Sequence, residues 1–363
     1  MKVLWLTNIP SPYRVEFFNE FGKYCDLTVL FEKKSSDERD KSWDNFNTDN
    51  FKAIYLKGKN VGVAEAFCPE VIKYINRTYD HIIVTNFSDP TGMLAIMFLR
   101  AKKIPYIVES DGGFPGSGRG VKEGIKKWLL SGAHLYFSTA AEHDKYYLTY
   151  GAKPEELIRY PFTSLHEIDV RNQPVSEQEK LELREKLGIK EEKILLSVGQ
   201  YIYRKGYDIL FNALCKLDSS IGCYIIGGKP TDDYIRIVKA HNLSNVHFID
   251  FKLKDDLKEY YKAADLFVHP TREDIWGLVI NEAMAQGLPV VTTDHCVAGL
   301  ELIQDNSLGQ IVAVEDYEAL AAAIKYELNN LSEERSAQVL KRIKQYTVEQ
   351  MAKVHINYLG RYK

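Results

Sequence analysis

Between positions 269 and 291 the chain gathers side chains able to hold a charged, hydroxyl-rich ligand. They run His269-Pro270-Thr271-Arg272-Glu273-Asp274-Ile275-Trp276-Gly277-Leu278, then Glu282-Ala283, Gly287 and Pro289-Val290. Apolar Leu266, Phe267 and Val268 predict a strand entering this polar stretch. A helix is predicted to open near Gly277, to carry Glu282 in its second turn and to end at Gly287, and Pro289 begins the next strand. The first amides of such a helix lack intrahelical partners and carry partial positive charge, so they suit an anion. Gly277, without a Cβ, lets a phosphate or sugar approach the backbone. Asp274 and Glu282, 282 − 274 = 8 positions apart, flank that site and are acceptors for sugar and ribose hydroxyls. Together these features describe a nucleotide-sugar pocket; the plainer reading is a strand–turn–helix unit with its acids on a solvated face.

A second anion element is Ser197-Val198-Gly199-Gln200 followed by Arg204-Lys205-Gly206. A strand ends at Gly199, a tight loop carries two cations, and a helix starts near Gly206. Two cations beside a helix start can hold a diphosphate and neutralise a leaving nucleoside diphosphate. Tyr224-Ile225-Ile226-Gly227-Gly228 adds a strand that ends in glycines.

The run from Asp274 resembles the acidic signature of retaining glycosyltransferases of family four (glycosyl transferases group 1), Glu-Gly-Phe-Gly-Leu-x-x-x-Glu-Ala-x-x-x-Gly-x-Pro-Val. Asp274 stands where the family usually has Glu, with Glu273 beside it. Lys205 falls on the lysine of the family's Gly-Arg…Lys-Gly element, Gln200 replaces its arginine, and Arg204 is the candidate for the missing charge. The resemblance implies Lys205 and Arg204 on the diphosphate beside Gly199, amides around Gly277 and Leu278 on phosphate, Glu282 on ribose, and Asp274 on the transferred sugar. It also puts Phe251, Lys252 and Leu253 near the nucleobase; the alternative is core packing for the apolar pair and solvent for Lys252.

In the first half, Asn8-Ile9-Pro10-Ser11-Pro12-Tyr13-Arg14 follows a strand, with Ser11 placed to cap a helix that has Pro12 at its first position. The glycines that family members carry here are absent, so the loop is assigned to the acceptor side, with Arg14 a candidate anion contact. Glu109-Ser110-Asp111-Gly112-Gly113 ends another strand and enters a loop reaching Gly120. Acids at the carboxyl end of a parallel strand point into the ligand crevice. Glu109 or Asp111 can orient or deprotonate an acceptor hydroxyl, or merely cap the loop. The histidine that many relatives carry here is missing; His134 and His143 read as an element boundary and a helix surface. Lys122, Lys126 and Lys127 beside Trp128 and Leu129 make either a basic, aromatic surface suited to anionic membranes or a solvated face with Trp128 in the core.

The elements that must position these residues alternate along the chain. Strands are expected at 3–7, 27–31, 53–56, 82–84, 106–109 and 135–138, with helices at 13–22, 64–79, 92–102, 121–131 and 142–150. The second half repeats the pattern with strands at 194–198, 223–226, 246–251, 266–269, 290–293 and 310–314. Such alternation predicts α/β domains with parallel sheets covered on both faces. Residues 160–176 read as a linker, followed by a helix at 177–187 with Ser176 and Glu179 in a capping-box pattern. Val348, Met351, Ala352, His355 and Leu359 share one face of a last helix.

At 363 residues the chain fits two domains of about 150–180 residues each. Hydrophobic content of 45% and charged content of 27% fit a globular protein, and a net charge of −3 gives no reason to expect nucleic acid. The cysteines at 25, 68, 215, 223 and 296 form no Cys-x-x-Cys pair, so neither a disulfide framework nor a zinc site is expected. There is no Asp-x-Asp, and no His/Cys cluster has ligand spacing, so no metal is expected. The first seven residues lack a secretory pattern, and a cytoplasmic enzyme fits.

The resemblance implies the GT-B architecture: two Rossmann-like domains facing across a cleft, with a C-terminal helix crossing back. The expected division is 1–165 for the acceptor, 166–346 for the donor and 347–363 for the returning helix. The implied activity is retaining transfer from a nucleoside diphosphate sugar, UDP-sugar favoured, to a glycan or lipid-linked acceptor in surface polysaccharide or glycolipid synthesis. No other cofactor is implied, and peripheral contact with the inner face of the membrane is the possible setting. A nucleotide-sugar epimerase of the same fold and a non-catalytic glycosyltransferase-like subunit are the alternatives.

Overall fold

The computed structural model describes residues 1–34, 47–116 and 120–361. The chain divides into two compact units, Met1–Ser164 with Thr347–Lys363, and Leu165–Tyr346.

In the first unit the strands are β1 (Lys2–Thr7), β2 (Asp26–Phe31), β3 (Lys52–Tyr55), β4 (Lys59–Asn60), β5 (Ala66–Phe67), β6 (His81–Val84), β7 (Ile107–Glu109), β8 (Leu135–Ser138) and β9 (Leu157–Arg159). Seven form a parallel sheet in the order β3-β2-β1-β6-β7-β8-β9, while β4 and β5 make a small antiparallel pair. β1 is buried from Val3 to Thr7, with Trp5 opposite Val29 on one neighbour and Ile83 on the other. An all-buried apolar strand with parallel neighbours is what helices on both faces produce. Helix Pro12–Gly22 supplies Phe17, Phe18 and Phe21, whose rings meet Trp5 edge-on with centroids 5.5, 5.2 and 5.7 Å away. The last helix, Val348–Leu359, packs against the same helix and buries Val348, Met351, Ala352, His355 and Leu359, the face its periodicity predicts.

The second unit holds β10 (Lys193–Val198), β11 (Ile221–Ile226), β12 (Val246–Ile249), β13 (Leu266–His269), β14 (Val290–Thr293) and β15 (Gly309–Val312). They form a parallel sheet in the order β12-β11-β10-β13-β14-β15. The order reverses between β10 and β13, so the loops leaving the carboxyl ends of these two strands diverge and open a crevice. Those loops carry Lys205 and Asp274. Helix Glu177–Leu187 begins as its sequence predicts, the Ser176 side chain accepting from the Glu179 N–H.

One expected element fails in the first unit. The helix expected at 64–79 is instead β5 followed by a 3₁₀ turn, Pro69–Lys73. Pro69 keeps Cys68 out of the helical region and lacks an N–H donor, and the Cys68 N–H goes to the Thr91 hydroxyl at 2.8 Å. β9 has no forecast; it is three residues long, too short for periodicity to register. In the second unit β12 stops at Ile249, short of the expected 251. Residues 117–119 of the loop after Asp111 lie outside the described residues.

Candidate functional site

The loop after β10 is braced before it presents a charge. Tyr203–Lys205 form a 3₁₀ turn, and Gly206 caps it at φ +67°. A Cβ on Gly206 would lie 2.0 Å from the Pro270 carbonyl oxygen, so the loop sits in backbone contact with the turn after β13. The Tyr207 hydroxyl donates to the Gly199 carbonyl at 2.9 Å, tying the far side of the loop to the strand end.

The turn after β13 is held from two sides. The Thr271 hydroxyl meets the Arg204 carbonyl at 2.9 Å, and the Arg204 guanidinium donates to the Glu273 carbonyl at 2.7 Å. On the other side the Asp274 N–H donates to the His295 carbonyl at 2.8 Å and the Ala298 N–H to the Trp276 carbonyl at 2.9 Å. Gly277, at φ +103°, then opens helix Leu278–Ala285. The indole N–H of Trp276 donates to Asn281 Oδ1 at 2.8 Å and fixes the first turn of that helix. The helix begins without an N-cap side chain, so its first amides are not covered by one.

Lys205 and Asp274, 69 positions apart, meet at 2.6 Å between Nζ and Oδ2. His269 Nε2 reaches the same Oδ2 at 3.0 Å, whereas Oδ1 has the looser Arg204 contact at 3.5 Å. Burial pushes the Asp274 carboxyl up, but the bond from His269 and the Lys205 charge outweigh it and hold the group well below the usual carboxylate range. Burial and the neighbouring Lys205 push His269 down, and its Nδ1 has no hydrogen-bond partner among the described residues. Glu282 receives the Tyr261 hydroxyl at 3.0 Å, yet burial dominates and raises it to about 7. The two acids of the motif are therefore chemically unlike: Asp274 is a fixed anion, and Glu282 titrates near neutrality.

The other residues marked in this unit fall differently. Arg204 is half-exposed and Gln200 exposed. Gly199 caps β10, and Gly227 and Gly228 follow β11. Phe251 and Leu253 are 53% and 59% exposed, so the core-packing alternative for this pair fails: β12 ends before reaching them.

In the first unit Glu109 is fully buried. Its Oε1 is taken by Arg14 and by the Tyr160 hydroxyl at 3.3 Å, and its Oε2 by His355 at 3.0 Å. Burial pushes Glu109 up, but Arg14 and His355 prevail and lower it. With no open face, Glu109 cannot meet an acceptor hydroxyl; it anchors Arg14 and the last helix instead. Arg14, offered as an anion contact, is buried and bridges Glu109 to Asp111. Asp111 is partly exposed, with Arg14 on one oxygen and the Tyr13 hydroxyl on the other. His143 is not a surface residue: it is fully buried, and burial lowers it to about 3. Its Nδ1 takes the Thr139 N–H at 3.2 Å, so Nε2 carries the proton toward Ser110 Oγ at 2.8 Å. Trp128 is not in the core; it is 47% exposed, with the Arg100 guanidinium 4.4 Å over its ring.

Sequence reasoning gave no role to His269 or Arg272, though both lie in the stretch it singled out. A histidine at the carboxyl end of a buried parallel strand was a usable signal for the first. Arg272 gave none, because its partners Tyr203, Asp208 and Glu315 lie 43 to 69 positions away.

Residues 179–346 match the family model described as glycosyl transferases group 1. Lipopolysaccharide glucosyltransferase WaaG of Escherichia coli K12 is 38% identical over 136 residues, 36% of this chain and 36% of that protein. Lipopolysaccharide core biosynthesis mannosyltransferase LpsB of Rhizobium meliloti is 29% identical over 209 residues, 52% of this chain and 57% of that protein. The aligned stretches thus span about a third to six tenths of these curated relatives. Over the whole chain the fold is that of solved GT-B glycosyltransferases. Anabaena Alr3699/HepE, crystallised with UDP and glucose, superposes with a TM-score of 0.75 at 16% identity, covering 99% of this chain and 100% of its own. A glycosyltransferase of Rickettsia africae gives 0.77 at 14% identity, covering 99% and 98%. Residues 179–346 are thus similar to glycosyl transferases group 1, and the chain as a whole has two Rossmann-like units with the GT-B fold.

Proposed function

We propose that this chain is a glycosyltransferase that moves a sugar from a nucleoside diphosphate sugar to an acceptor hydroxyl. The observation that carries the reading is the meeting of Lys205 and Asp274 at 2.6 Å beside the uncapped amino end of helix Leu278–Ala285, at the switch point of a parallel sheet. A cation, free helix amides and acids that accept hydroxyls are what a diphosphate, a ribose and a sugar require together.

In this reading Lys205 turns from Asp274 to the diphosphate, helped by Arg204 and by the amides of Gly277 and Leu278. Gly199 leaves room for the diphosphate. Glu282 accepts the ribose hydroxyls, and exposed Phe251 and Leu253 flank the base. Asp274 Oδ1, free of a short bond, takes a hydroxyl of the transferred sugar. Lys205 and the helix dipole stabilise the charge on the leaving group, the task a metal performs elsewhere. The resemblance of residues 274–290 to the family-four signature supports retention. The acceptor oxygen then bonds to the anomeric carbon on the face the diphosphate leaves, and the acceptor proton passes to a departing phosphate oxygen.

The first domain takes the acceptor side, where Asp111 is the acid left partly exposed. UDP is the favoured nucleotide, and surface polysaccharide or glycolipid synthesis the setting, in line with the names of the curated relatives. Among the described residues no helix is long and apolar enough to cross a membrane. Helix Val121–Leu130, with Val121, Ile125 and Trp128 exposed among Lys122, Lys126 and Lys127, offers a peripheral contact for an anionic lipid face on the cytoplasmic side.

Thermal shift against UDP, GDP and ADP tests the donor site. A ligand that binds only the native state at a hundred times its Kd adds about 2.7 kcal/mol. No shift with any of the three at millimolar concentration removes the assignment.

A further inference from the structure

We infer that Arg272 is a positioning residue for the donor site, setting the loop that carries Lys205 against the turn that carries Asp274. The inference rests on the donor-site reading above and names what holds that site in register.

Arg272 lies two positions before Asp274 and is largely buried. Its Nη1 donates to the Tyr203 carbonyl at 2.8 Å, and Nη1 and Nη2 fork onto Asp208 at 2.9 and 2.6 Å. Its Nε donates to Glu315, and the guanidinium lies 3.9 Å over the Tyr203 ring. The Arg272 N–H also donates to the Arg204 carbonyl at 2.8 Å. Tyr203, Arg204 and Asp208 bracket Lys205 on both sides, and all three attach to this one residue.

Lys205 reaches its partner through a flexible four-carbon stem, so the placement of its Nζ is only as good as that of its backbone. A misplacement near 1 Å in a charged site is felt strongly in binding and rate. Lysine at position 272 keeps the charge but cannot make the planar fork or stack on Tyr203.

The test uses the full chain, with UDP, GDP and ADP titrated calorimetrically to find which binds the parent. Arg272→Gln and Arg272→Lys are expected to weaken that nucleotide at least tenfold, and Asp208→Asn several-fold. In a Lys205→Ala background Arg272→Gln should cost less than twofold, because the cation it positions is gone. A general structural defect gives the same loss in both backgrounds. That result, or parent-like binding by Arg272→Gln, overturns the inference while the donor-site reading stands. Should Arg272→Gln fail to fold, Asp208→Asn with and without Lys205→Ala carries the same comparison. A parent that binds none of the three nucleotides overturns the reading itself before any substitution is made.

Discussion

Asp274 and Glu282 differ in charge state, and that difference separates their expected roles. Asp274 is held ionised by His269 and Lys205, and in the proposed reading it touches the transferred sugar, where contacts tighten as the anomeric bond breaks. Asp274→Asn should therefore lower kcat, by ten- to a hundredfold, more than it raises the donor KM. Asp274→Glu restores the family's residue with one extra methylene; with His269 held on Oδ2, the longer acid should impair transfer. Steady-state kinetics on both variants decide, and parent-like rates for Asp274→Asn would remove it from the site. Glu282→Gln should act chiefly on donor KM, since a ribose contact persists from ground state to transition state.

Glu282 also makes a prediction in pH. Burial raises its folded value to about 7, above the ordinary glutamate value. The folded chain then keeps a proton that the unfolded chain has released, so its stability is intact below the ordinary range and falls as pH rises toward 7. Between pH 5 and pH 8 the parent should lose on the order of 2 kcal/mol that Glu282→Gln does not. Nucleotide affinity should move the opposite way, rising through pH 7 as the carboxylate forms and staying flat in the Gln variant. Melting curves and titrations at matched ionic strength read both.

The elements that meet at the switch point are joined through backbone, and two glycines carry the join. Gly206 adopts φ +67° with a would-be Cβ 2.0 Å from a carbonyl oxygen; Gly277 adopts φ +103° with one 2.8 Å from Cys296 Sγ. Gly206→Ala faces rigid backbone, Gly277→Ala a movable thiol. Both should lower the urea midpoint, Gly206→Ala by more, with backbone strain alone about 1–3 kcal/mol. Gly206→Ala should also weaken nucleotide binding, because Lys205 precedes it. Equal midpoints for parent and Gly206→Ala would show that the loop does not sit as described.

For the whole molecule, the chain leaves the first unit after Ser164, builds the second, and returns to complete the first. The returning helix brings His355 into the aromatic core, stacked 4.1 Å from Phe137 and bonded to buried Glu109. Removing residues 347–363 strips one wall from that core, so a fragment of residues 1–164 should be insoluble or molten unless the last helix is supplied. His355→Leu removes one hydrogen bond from Glu109 and leaves it to Arg14 and Tyr160; losing a hydrogen bond to a buried charged group costs about 1.5–3 kcal/mol. Calorimetric melting of the variant should show that loss. A soluble, cooperatively folded 1–164 fragment would mean the helix only decorates the unit.

The sequence by itself determined the alternation of strand and helix, the face of the last helix and the strand–turn–helix unit around Gly277. Each is a local pattern: hydrophobic period, a capping serine before helix Glu177–Leu187, or Gly277 and Pro289 at fixed offsets from Asp274. It failed where local signals conflict, as at Pro69, and where strands are too short to show a period, as at β9. Which ionisable groups are open to chemistry was decided only by the tertiary structure. Glu109 and Asp111 lie two positions apart and read alike, yet one is sealed by Arg14, Tyr160 and His355 and the other is partly exposed. Asp274 and Glu282 have separate roles by resemblance, but their different charge states come only from burial, Lys205, His269 and Tyr261. Apart from His269, five positions from Asp274, the burial and charge neighbours come from segments tens to hundreds of positions distant, and these, rather than residue type, fix the state of an acid.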